Sequence, residues 1–272
     1  MRRSPAQYWK HACEHRRRPE AALHGNGVLG RKQHALDAIS QQGFWDDDGR
    51  FAVLAEVEYL DRFEAALRTA RKLADRLRRQ RRRNGHGSSE LVALLASRVY
   101  VLERALVGLD ERAPFDVFLR LRPVGHGDAD EAAAFAQTLA AMYLAWAERR
   151  GMRVERLEAK APEHLLAISG LGAATILAAE GGLHLLEVVT AVDDGGADVD
   201  RVGVAVQLAP WLPGPDAASA QAAAADAFAA APTATQVVRR YRMGPAPLVR
   251  DSVRGYRTGR LDRVLAGDFD MF

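Results

Sequence analysis

Val117-Phe118-Leu119-Arg120-Leu121-Arg122 and, twenty residues on, Met142-Tyr143-Leu144-Ala145-Trp146-Ala147-Glu148-Arg149-Arg150-Gly151 carry two different periods. In the first, Val117, Leu119 and Leu121 fall on one side and Phe118, Arg120 and Arg122 on the other, the two-residue period of a strand. In the second, Met142 and Trp146 extend a stripe begun by Phe135 and Leu139, the spacing of one helix face. Gly125-His126-Gly127-Asp128-Ala129-Asp130 lies before that helix and supplies N-cap candidates, so capping accounts for Asp128, Asp130 and Glu131. Arg149, Arg150 and Gly151 close it, with cations against the helix dipole and a glycine at the expected C′ position. A strand feeding a helix, with further short strands expected at 152–157, 165–169, 202–208 and 237–242, predicts an α+β domain with helices packed on a small mixed sheet.

Upstream the texture is helical. Phe51, Leu54, Val57, Tyr59, Leu60, Phe63, Leu67 and Leu73 recur every three or four residues, and Leu91, Leu94, Leu95, Val99, Leu102 and Leu106 repeat the pattern. Between them the basic run Arg78, Arg79, Arg81, Arg82, Arg83 leads to glycines that break the helix, so an N-terminal helical hairpin or bundle is expected. The Arg- and Gly-rich residues 1–33 show no sustained apolar period and read as a flexible basic arm. The resulting division is a helical domain over 34–112, an α+β domain over 113–211, an alanine-dominated surface helix or linker over 212–235, and a segment over 236–272 that completes the α+β domain. Alanine favours helix but buries little area.

Charge is distributed unevenly. Residues 1–112 hold 22 Lys+Arg against 15 Asp+Glu, residues 113–235 hold 8 against 16, and residues 236–272 hold 8 against 4. A polyanion would be held by the two basic flanks rather than by the acidic middle. Arg78, Arg79, Arg81, Arg82, Arg83 and Arg239, Arg240, Arg242 are therefore the candidate RNA-binding residues. Alternation puts Arg240 and Arg242 on one strand face, away from Tyr241. No apolar run approaches the roughly 20 residues of a bilayer span and no signal-peptide core follows Met1, so the expectation is a cytoplasmic protein with no membrane partner. Cys13 is the single cysteine, which leaves no intramolecular disulfide and no CxxC pair; His11, Cys13 and His15 alternate without a fourth ligand, so no metal and no cofactor are expected. No nucleophile–base constellation stands out by spacing, and His184 reads as a buried structural residue.

The helix Met142–Gly151, preceded by Glu131-Ala132, resembles the helix that opens the codon-reading half of bacterial class I peptide chain release factors. Tyr241, Val249, Asp251, Thr258-Gly259, Val264-Leu265 and Gly267-Asp268-Phe269-Asp270 resemble the family's closing segment, a strand followed by a loop and a short helix. Phe44-Trp45-Asp46-Asp47 resembles the start of the helical domain in the type 2 factors. The matches occur in family order and span most of residues 43–272. They imply the codon-reading superdomain fold and, as partner, the ribosome through rRNA and ribosomal proteins, with a second protein as a further candidate.

Departures from the family carry the functional expectation. The family hydrolyses peptidyl-tRNA with a Gly-Gly-Gln loop, and no such tripeptide occurs here: Gly181-Gly182 is followed by Leu183 and Gly195-Gly196 by Ala197. The alanine-rich segment stands where the domain bearing that loop would be. Aligned without gaps from Gly182-Leu183-His184, the family's reading tripeptide falls on Thr190, Ala191 and Val192, and its stacking histidine on Val199. Valine lacks the planar face that base stacking needs. The resemblance and its departures together predict a non-enzymatic, ribosome-binding protein that modulates translation by rescue, hibernation, protection or competition at the A site; the alternative is a protein-binding adaptor on the same scaffold that has left the ribosome.

Overall fold

The structure, a computed structural model, describes residues 17–24, 27–84, 88–125, 128–193, 196–211, 217–229, 236–244 and 246–270. They fall into two compact units, one drawn from residues up to 115 and the other from 116–211 and 217–270.

The first unit is helical: α1 (Arg17–His24), α2 (Val28–Ile39), α3 (Arg50–Asn84) and α4 (Ser89–Asp110). At 35 residues, α3 is about 52 Å long. Its buried stripe of Leu60, Phe63, Leu67, Ala70, Ala74 and Leu77 meets Val92, Leu95, Val99, Leu102 and Leu106 of α4, as the apolar periods require. Ser88 caps α4 by accepting from the Leu91 amide at 3.4 Å. The flexible-arm reading of residues 1–33 fails from Arg17 onward. Val28 and Ala35 are buried, Arg31 donates to Glu56 at 2.9 and 2.6 Å and to the Leu109 carbonyl at 2.7 Å, and Lys32 meets Asp61 and Glu64 at 2.6 and 3.0 Å. Partners on α3 and α4 make these helices, not a local apolar period. Residues 1–16, with His11, Cys13 and His15, lie outside the described residues.

The second unit is α+β. In chain order it contains β1 (Asp116–Val124), α5 (Ala129–Arg150), β2 (Arg153–Leu157), β3 (His164–Ser169), α6 (Ala173–Leu177), a 3-10 turn (Ala178–Glu180), β4 (Gly182–Asp193), β5 (Gly196–Trp211), α7 (Ala217–Ala229), β6 (Val237–Met243), β7 (Leu248–Asp251), β8 (Arg257–Thr258) and α8 (Leu261–Leu265). The strands form one mixed sheet in the order β2-β3-β1-β5-β4-β6-β7-β8, antiparallel except where β6 joins β4 in parallel. The sheet is larger than expected because the segment from Gly182 to Asp193, not read as a strand, pairs along its length with β5. Asp128 caps α5, its Oδ1 accepting from the amides of Asp130 and Glu131 at 2.8 and 2.9 Å. Gly151 ends it at φ 68°, a left-handed conformation that a side chain would strain.

Helix α5 buries Phe135, Leu139, Met142, Tyr143 and Trp146 beneath the sheet face that carries Tyr241, whose ring Phe135 meets edge-on at 5.4 Å. The opposite face is half covered by α7. Of the two readings of residues 212–235, surface helix or linker, the structure shows a helix over α7 and corrects the linker: Ala220, Ala224 and Phe228 are buried against Phe118, Leu165, Ala167 and Ala209. Small side chains bury little area each, but they let a helix lie close on a sheet. No described helix is long and apolar enough to cross a membrane.

Candidate functional site

Three places hold the residues to which the sequence assigns function. The first is the β4–β5 hairpin. Its ladder runs from Gly182 opposite Val206 to Asp193 opposite Gly196, with a register shift between Val189 and Ala191 that leaves Thr190 as the extra, bulged residue. Val189 stands opposite Val199, Ala191 opposite Asp198 and Val192 opposite Ala197. Thr190, Ala191, Val192 and Val199, the residues that the resemblance aligns with codon reading, thus lie near one end of the β4–β5 pair.

The second is the last turns of α3. Arg78 pairs with Asp75 at 2.7 Å, while Arg79, Arg82 and Arg83 join Arg76 and Gln80 around a depression of about 560 Å³. Arg81 is half-buried. The basic run forms the end of α3, which continues to Asn84, as the sequence reading of a helix with a basic end expects.

The third is β6, where alternation splits the arginines. Arg240 and Arg242 share a face with Glu187 of β4, at 3.7 and 3.4 Å, and keep side-chain exposures of 41% and 36%. Arg239 is 0% exposed, so its assignment as an RNA contact is corrected. It lies on the Tyr241 face, enclosed by acids. Its NH1 and NH2 donate to the two oxygens of Glu180 at 3.0 and 2.7 Å, and its Nε and NH2 donate to Asp251 Oδ2 at 3.0 and 2.7 Å. Arg254 also donates to Glu180 and, at 3.3 Å, to Asp251. Two guanidinium ions face two carboxylates, so the buried cluster is neutral overall, the condition under which ions are tolerated away from water.

Burial opposes ionisation of Glu180, but Arg239 and then Arg254 outweigh it and hold its carboxyl down to about 2. Tyr143 donates to Glu180 at 2.8 Å. His184 places Nε2 3.0 Å from the Glu180 carbonyl and Nδ1 3.1 Å from the Tyr241 hydroxyl. A carbonyl only accepts, so Nε2 carries the proton and Nδ1 accepts from Tyr241. Burial lowers the His184 pKa to about 4, against the pull of Glu180, and the ring is neutral at pH 7. Beside this cluster, Asp270 accepts from Trp146 Nε1 and Arg150 Nε, both at 3.0 Å, and Phe269 stacks on Trp146 at 5.8 Å.

The residues carrying the family resemblance, Trp146, Arg150, Tyr241, Asp251, Phe269 and Asp270, are therefore neighbours that clip the closing segment onto α5 and β4. Their service is structural. Glu180, the acceptor shared by Arg239, Arg254 and Tyr143, carries no sequence signal of its own, because a lone glutamate after Ala178-Ala179 shows nothing of partners 59 and 74 residues away. The alternation that separates Arg240 from Tyr241 did contain the warning about Arg239. Among the described residues no group of three or more His, Cys, Asp or Glu is placed to hold a metal ion.

Residues 31–197 match the model of the PCRF domain. Peptide chain release factor 1 from Staphylococcus aureus (strain bovine RF122 / ET3-1) is 33% identical over 115 residues, covering 40% of this chain and 32% of the relative, and the same figures hold for peptide chain release factor 1 from Staphylococcus epidermidis (strain ATCC 12228 / FDA PCI 1200). The chain thus spans about a third of the length of these curated relatives. Among solved structures, RF2 of Thermus thermophilus is similar at a TM-score of 0.45 and 16% identity, over 93% of this chain and 95% of that one. With the PCRF domain occupying more than half of its residues, the chain belongs to the peptide chain release factor family.

Proposed function

We propose that the protein binds the ribosome without hydrolysing peptidyl-tRNA and modulates translation by occupancy, in rescue, hibernation, protection or competition at the A site. Family membership supports the ribosome as partner. The observation that carries the non-hydrolytic half is what joins β5 to β6: the described part of that connection is α7, packed on the sheet, and neither it nor any other part of the sequence contains Gly-Gly-Gln. The family's chemistry needs that loop to position water, and no described cluster offers a substitute nucleophile. Arg239 and Glu180 are spent on each other.

A second reading, a protein-binding adaptor, draws on Leu29 and Leu36, both exposed on α2 and seven residues apart, hence on one helix face.

Cosedimentation with ribosomes at low and high salt separates the two. The proposed function predicts salt-sensitive pelleting, and the adaptor reading predicts none. In the same preparation, programmed ribosomes should release no peptide above a buffer blank at any stop codon, and reproducible release by protein freed of host factors would overturn the non-hydrolytic assignment.

A further inference from the structure

We propose that the open half of the sheet, where Arg201, Arg240, Arg242, Arg250 and Arg257 surround Glu187, is a docking surface for an RNA sugar-phosphate backbone. The inference rests on the ribosome-binding reading for its setting and on the face itself for its chemistry.

Paired residues in a sheet share a face, and the registers place these arginines together. Glu187 stands opposite Arg201 on β5 and Arg242 on β6. Arg240 stands opposite Arg250 on β7, which stands opposite Arg257 on β8. The parity is fixed independently, because a side chain added at Gly203, two residues from Arg201, would touch Leu185, two residues from Glu187. On this same side α7 covers Phe118, Leu165, Ala167 and Ala209, so the helix ends the covered half and the arginines occupy the rest.

Among the described residues the charge of this row is not balanced. Glu187 is the acid of this row and its contacts are loose, at 3.8 Å to Arg201, 3.7 Å to Arg240 and 3.4 Å to Arg242. Each guanidinium has five donors, so most remain for an incoming acceptor. Arg250 and Arg257 are exposed and have no acidic partner among the described residues. Four positive charges are left over.

Spacing favours a phosphate chain. Arg240, Arg250 and Arg257 lie on three successive strands, about 4.8 Å apart, and Arg240 and Arg242 lie about 6.6 Å apart along one strand. A repeating anion can meet such a grid with bidentate contacts. An acidic protein partner fits less well, since protein interfaces are built round an apolar core and this face offers Leu185 and Leu248, both half-buried.

The test uses the full chain, with a short oligouridylate and a short RNA duplex as probes, titrated over a range of salt. Arg250→Glu with Arg257→Glu should weaken binding by at least about tenfold and flatten the salt dependence by about two units. Arg98→Glu with Arg149→Glu changes net charge equally at exposed sites elsewhere and should leave both quantities within about twofold of the parent. If the charge-reversed pair does not fold by circular dichroism, Arg250→Gln with Arg257→Gln carries the same comparison. Equal losses in both pairs, no loss in either, or polyglutamate competing as well as RNA would overturn the inference. Ribosome pelleting of the parent is scored separately: oligonucleotide binding through this face without pelleting refutes the ribosome reading alone, and pelleting with unaffected RNA titrations refutes the face alone.

Discussion

Arg239 and Arg240 are adjacent in the chain and do opposite things. Arg239 is enclosed by Glu180, Asp251 and the Tyr241 hydroxyl, while Arg240 keeps its head in water. Removing one partner of a buried ion cluster leaves the others uncompensated, at a cost of roughly 3–5 kcal/mol. Arg239→Met should therefore lower the unfolding free energy by about that amount, measured by urea titration, and leave the RNA affinity of the folded fraction unchanged. A loss of RNA binding at unchanged stability would return Arg239 to the surface. Sequence could see the two-residue period that separates these arginines, but not Glu180, which reaches the cluster only because a 3-10 turn precedes β4.

At the level of elements, the proposed function bears on the β4–β5 pair, where the family resemblance aligns the reading positions with residues that have no rings. A stacked base contributes roughly 1–3 kcal/mol, and the resemblance aligns Val192 and Val199 with the family's stacking positions. Binding to ribosomes with a stop codon, a sense codon or an empty A site should then differ by less than about tenfold, or 1.4 kcal/mol. Competition binding among the three measures it, and a hundredfold preference for one stop codon would show that the bulge at Thr190 had rebuilt a reading site. Elements with a long apolar period, α3, α4 and α5, were legible from sequence, as were the caps at Asp128 and Gly151. The strand β4 was not, because both its faces are largely apolar and its period is blurred. Nor were α1 and α2, whose stability is tertiary: Arg31 and Lys32 find their acids on α3. In α7 the composition named the helix and hid its packing, since alanine signals propensity and says nothing of a facing sheet.

Over the whole molecule, the buried groups set a direction for stability against pH. His184 has a folded pKa of about 4 against an ordinary 6.5, so between these values the unfolded chain binds a proton that the folded chain refuses. Glu180, at about 2 against 4.5, behaves likewise one step lower. Both contributions are complete above pH 6.5 and are lost as pH falls, the first by about 4 and the second by about 2, each at up to about 1.4 kcal/mol per pH unit. Urea midpoints measured from pH 7 down to 3 should decline continuously, and His184→Gln should flatten the upper part of that decline. An increase in midpoint on acidification would contradict the buried neutral ring. The parallel pairing of β6 with β4 also has a temporal meaning. The strands β2, β3, β1, β5 and β4 are complete by Trp211, yet β4 then presents a row of unpaired amides and carbonyls, and Glu180 has neither of its guanidinium partners. Both wants are met together when the segment from Val237 to Arg254 arrives. During synthesis the nascent sheet therefore carries an open, sticky edge for the time needed to translate the alanine-rich stretch and β6, the interval in which pairing with another chain competes with self-completion.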